Sequence, residues 1–237
     1  MAFWRLTPAR AGSSLALCLA AASAWASVGT AEPPRTVSQI DARTAVPAAA
    51  FEDSEDADVA AQWVRVHGDN HGLPFVIVDK RRAQIHVYAP GGEPMGASTV
   101  LLGQAVGDAA LSRRVQRPPS SLLPQERTTP SGRYASEPGH NDTGEDIVWI
   151  DYDAALAIHR LRASPASQRR VERMNSPHSD DKRISSGCIV VPVAFYDAVL
   201  LPSLGRQPGV VYVLPETRSV REAFAQDRLS LEVAAAP

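Results

Sequence analysis

The sequence of 237 residues has few cysteines and no excess of charge of either sign. Each of these features, if present, would indicate a particular class of protein. Its two cysteines cannot form the disulfide framework of a cysteine-rich secreted scaffold. Basic and acidic side chains number 24 and 26, for a formal net charge of −2. This balance provides no overall basic field for nucleic acid or anionic lipid, and we expect no nucleic-acid partner.

Hydrophobic runs long enough to cross a bilayer are also lacking. The apolar stretch Leu15–Ala24 is too short to span, and Arg5 and Arg10 precede it. Small residues at positions 24 and 26 fit an A-x-A cleavage site, so the pattern predicts a signal peptide over 1–26. We therefore expect an exported, periplasmic protein with no integral membrane segment after cleavage.

Cleavage after residue 26 would leave Cys188 as the only cysteine. A single thiol cannot form an internal disulfide, and outside the cytosol it is exposed to oxidation. Two interpretations are open at this point. Cys188 is either a small buried hydrophobe or a reactive group.

The segment 27–57 is rich in alanine, proline and threonine and has neither helical nor strand periodicity, which indicates a flexible linker. Ser54 is placed to cap a short helix through His67, with Val59, Trp63 and Val66 on its apolar face. Residues 217–237 are predicted as a C-terminal tail, with a possible surface helix over 220–233.

Between these segments, residues 58–216 are predicted to form one domain of the mostly β or α+β class. Short runs rich in β-branched residues recur, and no long helices alternate with them, which argues against a doubly wound parallel sheet. Pro192–Leu200 reads as a short helix. The polar segments 108–128 and 160–183 are long enough to be functional or disordered loops. The predicted strands are Phe75–Val78, Ile85–Tyr88, Ser98–Leu102, Ile147–Tyr152, Ala155–His159, Ile189–Val191 and Val210–Leu214.

Cys188 follows Gly187 at a turn that opens into an apolar run. A cysteine nucleophile needs a base within reach and N–H donors for the developing oxyanion. His159, at the end of a predicted strand, is the best candidate for the base. The backbone N–H groups of Gly187 and Cys188 are the expected oxyanion donors.

The domain resembles the L,D-transpeptidase catalytic domain, the YkuD-like family, over nearly its whole length. Thr129-Pro130-Ser131-Gly132-Arg133-Tyr134 is similar to the family's T-P-x-G-x-F/Y element, and Ser185-Ser186-Gly187-Cys188-Ile189 is similar to its S-H-G-C-I signature. The other matching segments, in chain order, are Phe75–Lys80, Ile85–Tyr88, Gly103–Gly107, Ile158–His159 and Pro192–Leu200.

The resemblance implies a β-sandwich fold, with Cys188 as nucleophile and His159 as general base oriented by a backbone carbonyl, here that of Arg160. Two positions depart from the family pattern. Ser186 replaces the histidine of the signature, and Val190 replaces the arginine or asparagine that commonly follows. Arg183 is the nearest arginine in sequence that can supply a substrate contact in place of Val190.

The resemblance also implies a substrate, the stem peptides of peptidoglycan, and a reaction at the bond between the diamino acid at position three and D-alanine at position four. The acyl group would pass to an amine of another wall peptide or of an envelope protein. Three alternatives stay open: a carboxypeptidase, an amidase, and a wall-binding module without activity. Ser185 and Ser186 either donate to substrate or shape the turn.

No cofactor is expected, and no metal site is predicted. His67 and His71 have the i, i+4 spacing of a helical ligand pair, but Gly68 and Gly72 disfavour a helix there. His86 alternates with apolar neighbours, which places it on the exposed face of its strand.

Overall fold

A computed structural model describes residues 54–109, 121–162 and 168–224. The predicted signal peptide, the linker up to residue 53 and most of the predicted C-terminal tail lie outside these ranges. So do residues 110–120 and 163–167, which belong to the two polar segments.

The described residues form a strand-rich domain with a few short helices, so the predicted mostly β or α+β class is confirmed. Helices are α1 (Glu55–His67), α2 (Gln168–Asn175) and α3 (Val193–Phe195), which continues as a π-helical turn (Tyr196–Leu200). Strands are β1 (Phe75–Asp79), β2 (Gln84–Tyr88), β3 (Pro94–Thr99), β4 (Leu102–Gly103), β5 (Gly132–His140), β6 (Asp146–Asp151), β7 (Leu156–Arg160), β8 (Arg183–Ser185), β9 (Ile189–Val191) and β10 (Gly209–Val213).

Eight strands form one sheet in the order β3-β2-β1-β10-β5-β6-β7-β9, and β4 pairs with β8. The pairs β1–β10, β7–β9 and β4–β8 are parallel, and the other pairs are antiparallel. The hairpin predicted from the first two β-rich runs is confirmed as β1–β2. The predicted run Ser98–Leu102 is divided between β3 and β4.

One apolar cluster joins the two ends of the large sheet. It contains side chains from β1, β2 and β10, and also from β6, β7 and β9, packed with Phe195, Tyr196 and Leu200 of the helical segment 193–200. Burial of this cluster follows from the alternation of each strand, because every second side chain points to the same face. Ile158 and Ile189 contribute to it.

Helix α1 covers the other face of β1 and β10. As predicted, Ser54 caps it, accepting from the Ala57 N–H at 3.1 Å. Of the predicted apolar face, Val59 and Trp63 pack against the apolar cluster on this face and are partly buried, whereas Val66 is 65% exposed. The fully buried side chains of α1 are Ala57, Ala60, Ala61 and Val64. The small alanines allow the helix to approach the sheet more closely than larger side chains would.

The packed part of the chain is wider than the predicted limits 58–216. Ser54 is buried at one end, and residues 220–224 are helical at the other. Phe224 lies against the Trp63 ring, with centroids 4.8 Å apart. The predicted helix after residue 219 therefore begins where expected, and it packs on α1. No helix among the described residues is long and apolar enough to cross a bilayer.

The segment 160–183, predicted as a loop, contains ordered structure. Helix α2 occupies its middle, and a 3₁₀ turn, Asp180–Lys182, lies near its end. Val171 and Met174, three residues apart, supply the helix with a narrow apolar edge. Basic residues surround this edge in the sequence and conceal its periodicity.

Candidate active site

His159 and Cys188 lie on neighbouring parallel strands. His159 of β7 pairs with Val190 of β9, and Cys188 immediately precedes β9. Because Ile158 points into the core, His159 points to the opposite face, and alternation places Cys188 on that same side. Cys188 lies two residues before Val190, the partner of His159 on the neighbouring strand. This offset corresponds to about 8 Å between the α-carbons of Cys188 and His159, which their two side chains together can span.

The imidazole of His159 is held by a backbone carbonyl. Its Nδ1 lies 2.8 Å from the carbonyl oxygen of Arg160, which is the contact that the resemblance implies. A carbonyl only accepts, so Nδ1 carries the proton and donates, and Nε2 is left with its lone pair. This is the tautomer that a general base requires.

Burial lowers the pKa of His159 below its ordinary value of 6.5. The hydrogen bond to Arg160 and the charge of Glu145 act in the opposite direction, and the charges of Arg162 and Arg170 add to the lowering. The imidazole is therefore neutral at neutral pH. It can accept a proton during a reaction, and it does not begin as an imidazolium.

The side chain of Arg160, next to the proposed base, connects β7 to the helical segment 193–200. The Arg160 guanidinium pairs with Asp197 at 2.7 Å and lies over the Tyr196 ring, 4.1 Å from its centroid. It also donates to the Asp146 carbonyl at 3.0 Å. Arg160 thus positions its own carbonyl and, through it, the imidazole.

The turn before Cys188 is organised by Ser185. Its hydroxyl donates to the Cys188 carbonyl at 2.7 Å and accepts the Gly187 N–H at 3.0 Å. Gly187 has a φ of 130°, a conformation that L side chains rarely adopt. Of the two roles predicted for Ser185, shaping the turn is the one that its contacts match.

The same contacts bear on the predicted oxyanion donors. The N–H of Gly187 donates to the Ser185 hydroxyl, so this member of the predicted pair is engaged within the turn. The Cys188 Sγ is half-buried and lies 3.5 Å from the carbonyl of Ala155, at the turn before β7. Ser186 is also half-buried.

Thr129 connects this turn to the rest of the domain. Its hydroxyl donates to the Gly187 carbonyl at 2.8 Å and accepts the Gly103 N–H at 2.8 Å. The sequence contains the signal for this residue, the first position of Thr129–Gly132, but assigns it no contact. Gly103 is required here, because a Cβ on it would lie 2.4 Å from the Arg127 carbonyl oxygen.

Arg183, predicted as a substrate contact, directs its guanidinium into an internal network of charges. The guanidinium pairs with Glu216 and donates to the Lys80 carbonyl at 3.0 Å. Its side chain is 10% exposed and that of Glu216 is 3% exposed. Lys80 pairs with Asp108 at 2.8 Å in the same network. Arg183 is thus bound to an internal carboxylate.

The structure explains why valine is found at position 190. It is buried in an apolar cluster with Leu101 and with Met174 of α2, and its backbone forms two hydrogen bonds with Leu101, of 2.9 and 3.0 Å. An arginine here would place a charge beneath α2 at a large desolvation cost. The departure from the family pattern at this position therefore accompanies the presence of α2.

His86 differs from its predicted exposed position. It pairs with Ile77 on the face of the sheet that α1 covers, and its Nε2 is buried without a hydrogen-bond partner.

No protein-family model matches the sequence, and no curated protein matches it. In the described part of the chain, no group of three or more His, Cys, Asp or Glu side chains is arranged to hold a metal ion.

Proposed function

We propose that the protein is an exported, periplasmic cysteine acyltransferase, an L,D-transpeptidase that acts on peptidoglycan stem peptides. The proposal rests first on the resemblance of the sequence to that family. The single structural observation that supports it best is the hydrogen bond between His159 Nδ1 and the Arg160 carbonyl, on the strand beside Cys188.

The fold is compatible with the proposal. The family resemblance implies a β-sandwich, and one apolar cluster shared by both ends of the large sheet is what such a sandwich requires. The nucleophile and the base then lie on the outer face of β7 and β9, where a peptide can approach. Val190 and Ser186, the two departures, alter neither the thiol nor the imidazole.

In the proposed first half-reaction, His159 Nε2 accepts the Cys188 thiol proton as sulfur attacks the carbonyl of the position-three diamino acid. The Cys188 N–H stabilises the oxyanion. When the tetrahedral intermediate collapses, the C–N bond breaks and His159 returns the proton to the amine of leaving D-alanine. The product is a thioester on Cys188 with a neutral imidazole.

The second half-reaction repeats these steps with a new nucleophile. His159 takes a proton from an acceptor amine as that amine attacks the thioester, and the C–S bond breaks. The proton returns to the Cys188 sulfur. An amine of a second stem peptide or of an envelope protein gives a cross-link, and water in its place gives the carboxypeptidase outcome.

The test is to incubate the protein without its signal peptide with defined tetrapeptide muropeptides and to identify products by mass spectrometry. We expect release of D-alanine, a thioester on the wild-type protein, and neither with Cys188→Ala. His159→Ala is expected to lower the rate of D-alanine release by at least about 100-fold.

Other outcomes identify the alternatives. Release of D-alanine without dimers would indicate a carboxypeptidase, and cleavage at another bond would indicate an amidase. If folded wild-type protein releases nothing and still sediments with sacculi, the chain is a wall-binding module and the proposal is wrong. Ser203→Ala, which removes a buried hydroxyl that donates to the Val199 carbonyl, is a control for changes in stability alone.

A further inference from the structure

A row of residues leads from Cys188 across the outer face of the sheet. Ile158 of β7 pairs with Ile189 of β9, so Cys188 stands beside Ala157, and Ala157 pairs with Trp149 of β6. Both neighbours of the tryptophan on β6 belong to the buried core cluster, so its side chain points to the outer face. Two strand spacings place the α-carbon of Trp149 about 10 Å from that of Cys188.

The ring of Trp149 forms one aromatic surface with Tyr152. The two ring centroids are 5.0 Å apart, in an edge-to-face arrangement, and Tyr152 is 75% exposed. The turn that begins at Tyr152 also contacts the thiol. Its last residue, Ala155, donates its N–H to the Tyr152 carbonyl at 3.1 Å and has its own carbonyl 3.5 Å from Cys188 Sγ. The aromatic surface is therefore continuous with the proposed active site.

Gly139 of β5 leaves room for the indole ring. A Cβ on this glycine would lie 2.6 Å from Cδ1 and 2.7 Å from Nε1 of Trp149, which is closer than such atoms approach in proteins. The ring thus leans across β5 at the one position where no side chain is present. Its location depends on Gly139.

Glu137 adds a carboxylate to this surface. It is the register partner of Trp149 on β5, so the two side chains share the outer face. Glu137 is exposed, and within residues 54–109, 121–162 and 168–224 no side chain forms an ion pair with it. A sugar ring fits such a surface, because its C–H groups can pack on an aromatic face while its hydroxyls donate to a carboxylate.

We infer that Trp149, Tyr152 and Glu137 bind the glycan strand of peptidoglycan, at the sugar that carries the stem peptide. This inference rests on the proposed function. Three stem-peptide residues separate that sugar from the carbonyl that Cys188 attacks, and three extended residues span about 10 Å. This length is close to the distance from Cys188 to Trp149 across the sheet. The sugar is uncharged where the peptide is attached to it, so Glu137 does not repel it.

Binding of the glycan has a consequence for specificity. A stem peptide that is still attached to its sugar makes contacts that a free peptide lacks, so the protein should prefer wall material to released peptides. The contacts exist in the bound substrate before the reaction begins, and they should act mainly through KM.

The experiment compares a disaccharide tetrapeptide with the same tetrapeptide lacking the sugars. For the wild type we expect kcat/KM of D-alanine release to be at least about tenfold higher with the disaccharide form. Trp149→Ala should remove this preference, and Trp149→Phe should retain part of it. Gly139→Ala, which displaces the indole without removing a polar group, should weaken it, as should Glu137→Gln.

Two matched changes elsewhere are controls. Trp63→Ala removes a partly buried indole from α1, and Glu222→Gln neutralises an exposed carboxylate of the C-terminal helical turn. Both should keep the wild-type preference at temperatures where the variants are folded.

Three results would overturn the inference. The first is a wild type that turns over both substrates equally, and the second is a folded Trp149→Ala protein that keeps the wild-type preference. The third is a Trp149→Ala protein that loses the same factor with both substrates, which would show that the aromatic surface binds the peptide.

Failure of the proposed function is recognised separately. If the wild type releases D-alanine from neither substrate, that function is wrong, and calorimetry of Cys188→Ala with a neutral tetramer of β-1,4-linked N-acetylglucosamine decides the inference. Binding of the tetramer that is lost in the double variant with Trp149→Ala supports a glycan site. Undetectable binding, or binding that the second change leaves intact, refutes it.

Discussion

The hydroxyl of Thr129 donates to the carbonyl of Gly187, the residue immediately before the proposed nucleophile, at 2.8 Å. The backbone of Thr129 is held in turn, because its carbonyl accepts from the Lys80 ammonium at 2.9 Å. A buried charge at the end of β1 is therefore connected to the Cys188 turn through one threonine. Residues far apart in the sequence determine where the thiol lies.

Thr129→Val should lower D-alanine release more than it lowers stability. Valine has nearly the same shape but leaves the Gly103 N–H and the Gly187 carbonyl without their partner, which should reduce the free energy of unfolding by about 1–3 kcal/mol. Displacement of the turn should reduce kcat by about 10- to 100-fold at temperatures where the variant is folded. Thr129→Ser keeps the hydroxyl and should stay near wild type. Equal activity of the valine variant would show that the turn does not depend on this bond.

Arg183→Met tests whether this arginine is structural. Removing it leaves the buried Glu216 carboxylate with the Gly107 N–H at 2.8 Å and with Lys80 at 3.4 Å, but without its guanidinium. We expect a loss of about 3 kcal/mol in the free energy of unfolding, measured by urea denaturation. KM should be unchanged below the melting transition. A raised KM with unchanged stability would restore the role in substrate binding that the sequence suggested.

Most strands were predictable because they depend on local patterns. Short runs rich in β-branched residues marked β1, β2, β6, β7, β9 and β10, with ends displaced by at most one residue. The position of His159 at the end of an apolar strand also follows from local sequence. Strand β5 was not predicted, because its sequence contains proline and glycine and most of its residues are exposed.

The site details that the sequence did not reveal depend on long-range contacts. Arg183 is two residues from the Ser-Ser-Gly-Cys signature but binds Glu216, 33 residues away. Proximity in sequence predicted the wrong partner, because β8 lies beside β4 and directs this side chain toward the end of β1. Val190 appeared to be a lost substrate contact because α2, which covers it, was not recognised as a helix.

The activity of the protein should persist into mildly acidic solution. The lowered pKa of His159 means that the free enzyme keeps a neutral base until the pH falls below 6.5. We expect the acidic limb of kcat/KM for D-alanine release to lie below pH 6.5. Arg162→Gln removes a charge that lowers this pKa and leaves Glu145, which raises it, so the limb should move to higher pH. Arg206→Gln, an exposed change after the helical segment 193–200, should not move it. A limb above pH 6.5 in the wild type would contradict the assignment.

His86 should make the fold sensitive to acid. Burial lowers its pKa below 6.5, and Arg82 adds to the lowering, although Asp79 and Asp58 oppose it. The unfolded chain therefore binds a proton at higher pH than the folded protein does, so stability is lost as the pH falls through 6.5 toward the folded-state pKa. His86→Gln should flatten the dependence of the unfolding free energy on pH between about 7.5 and 5, measured by urea denaturation at each pH. His178→Gln, an exposed change, should keep the wild-type slope. An unchanged slope in the His86 variant would assign the acid sensitivity to His159 or to other groups, and the double variant with His159→Gln separates these two cases.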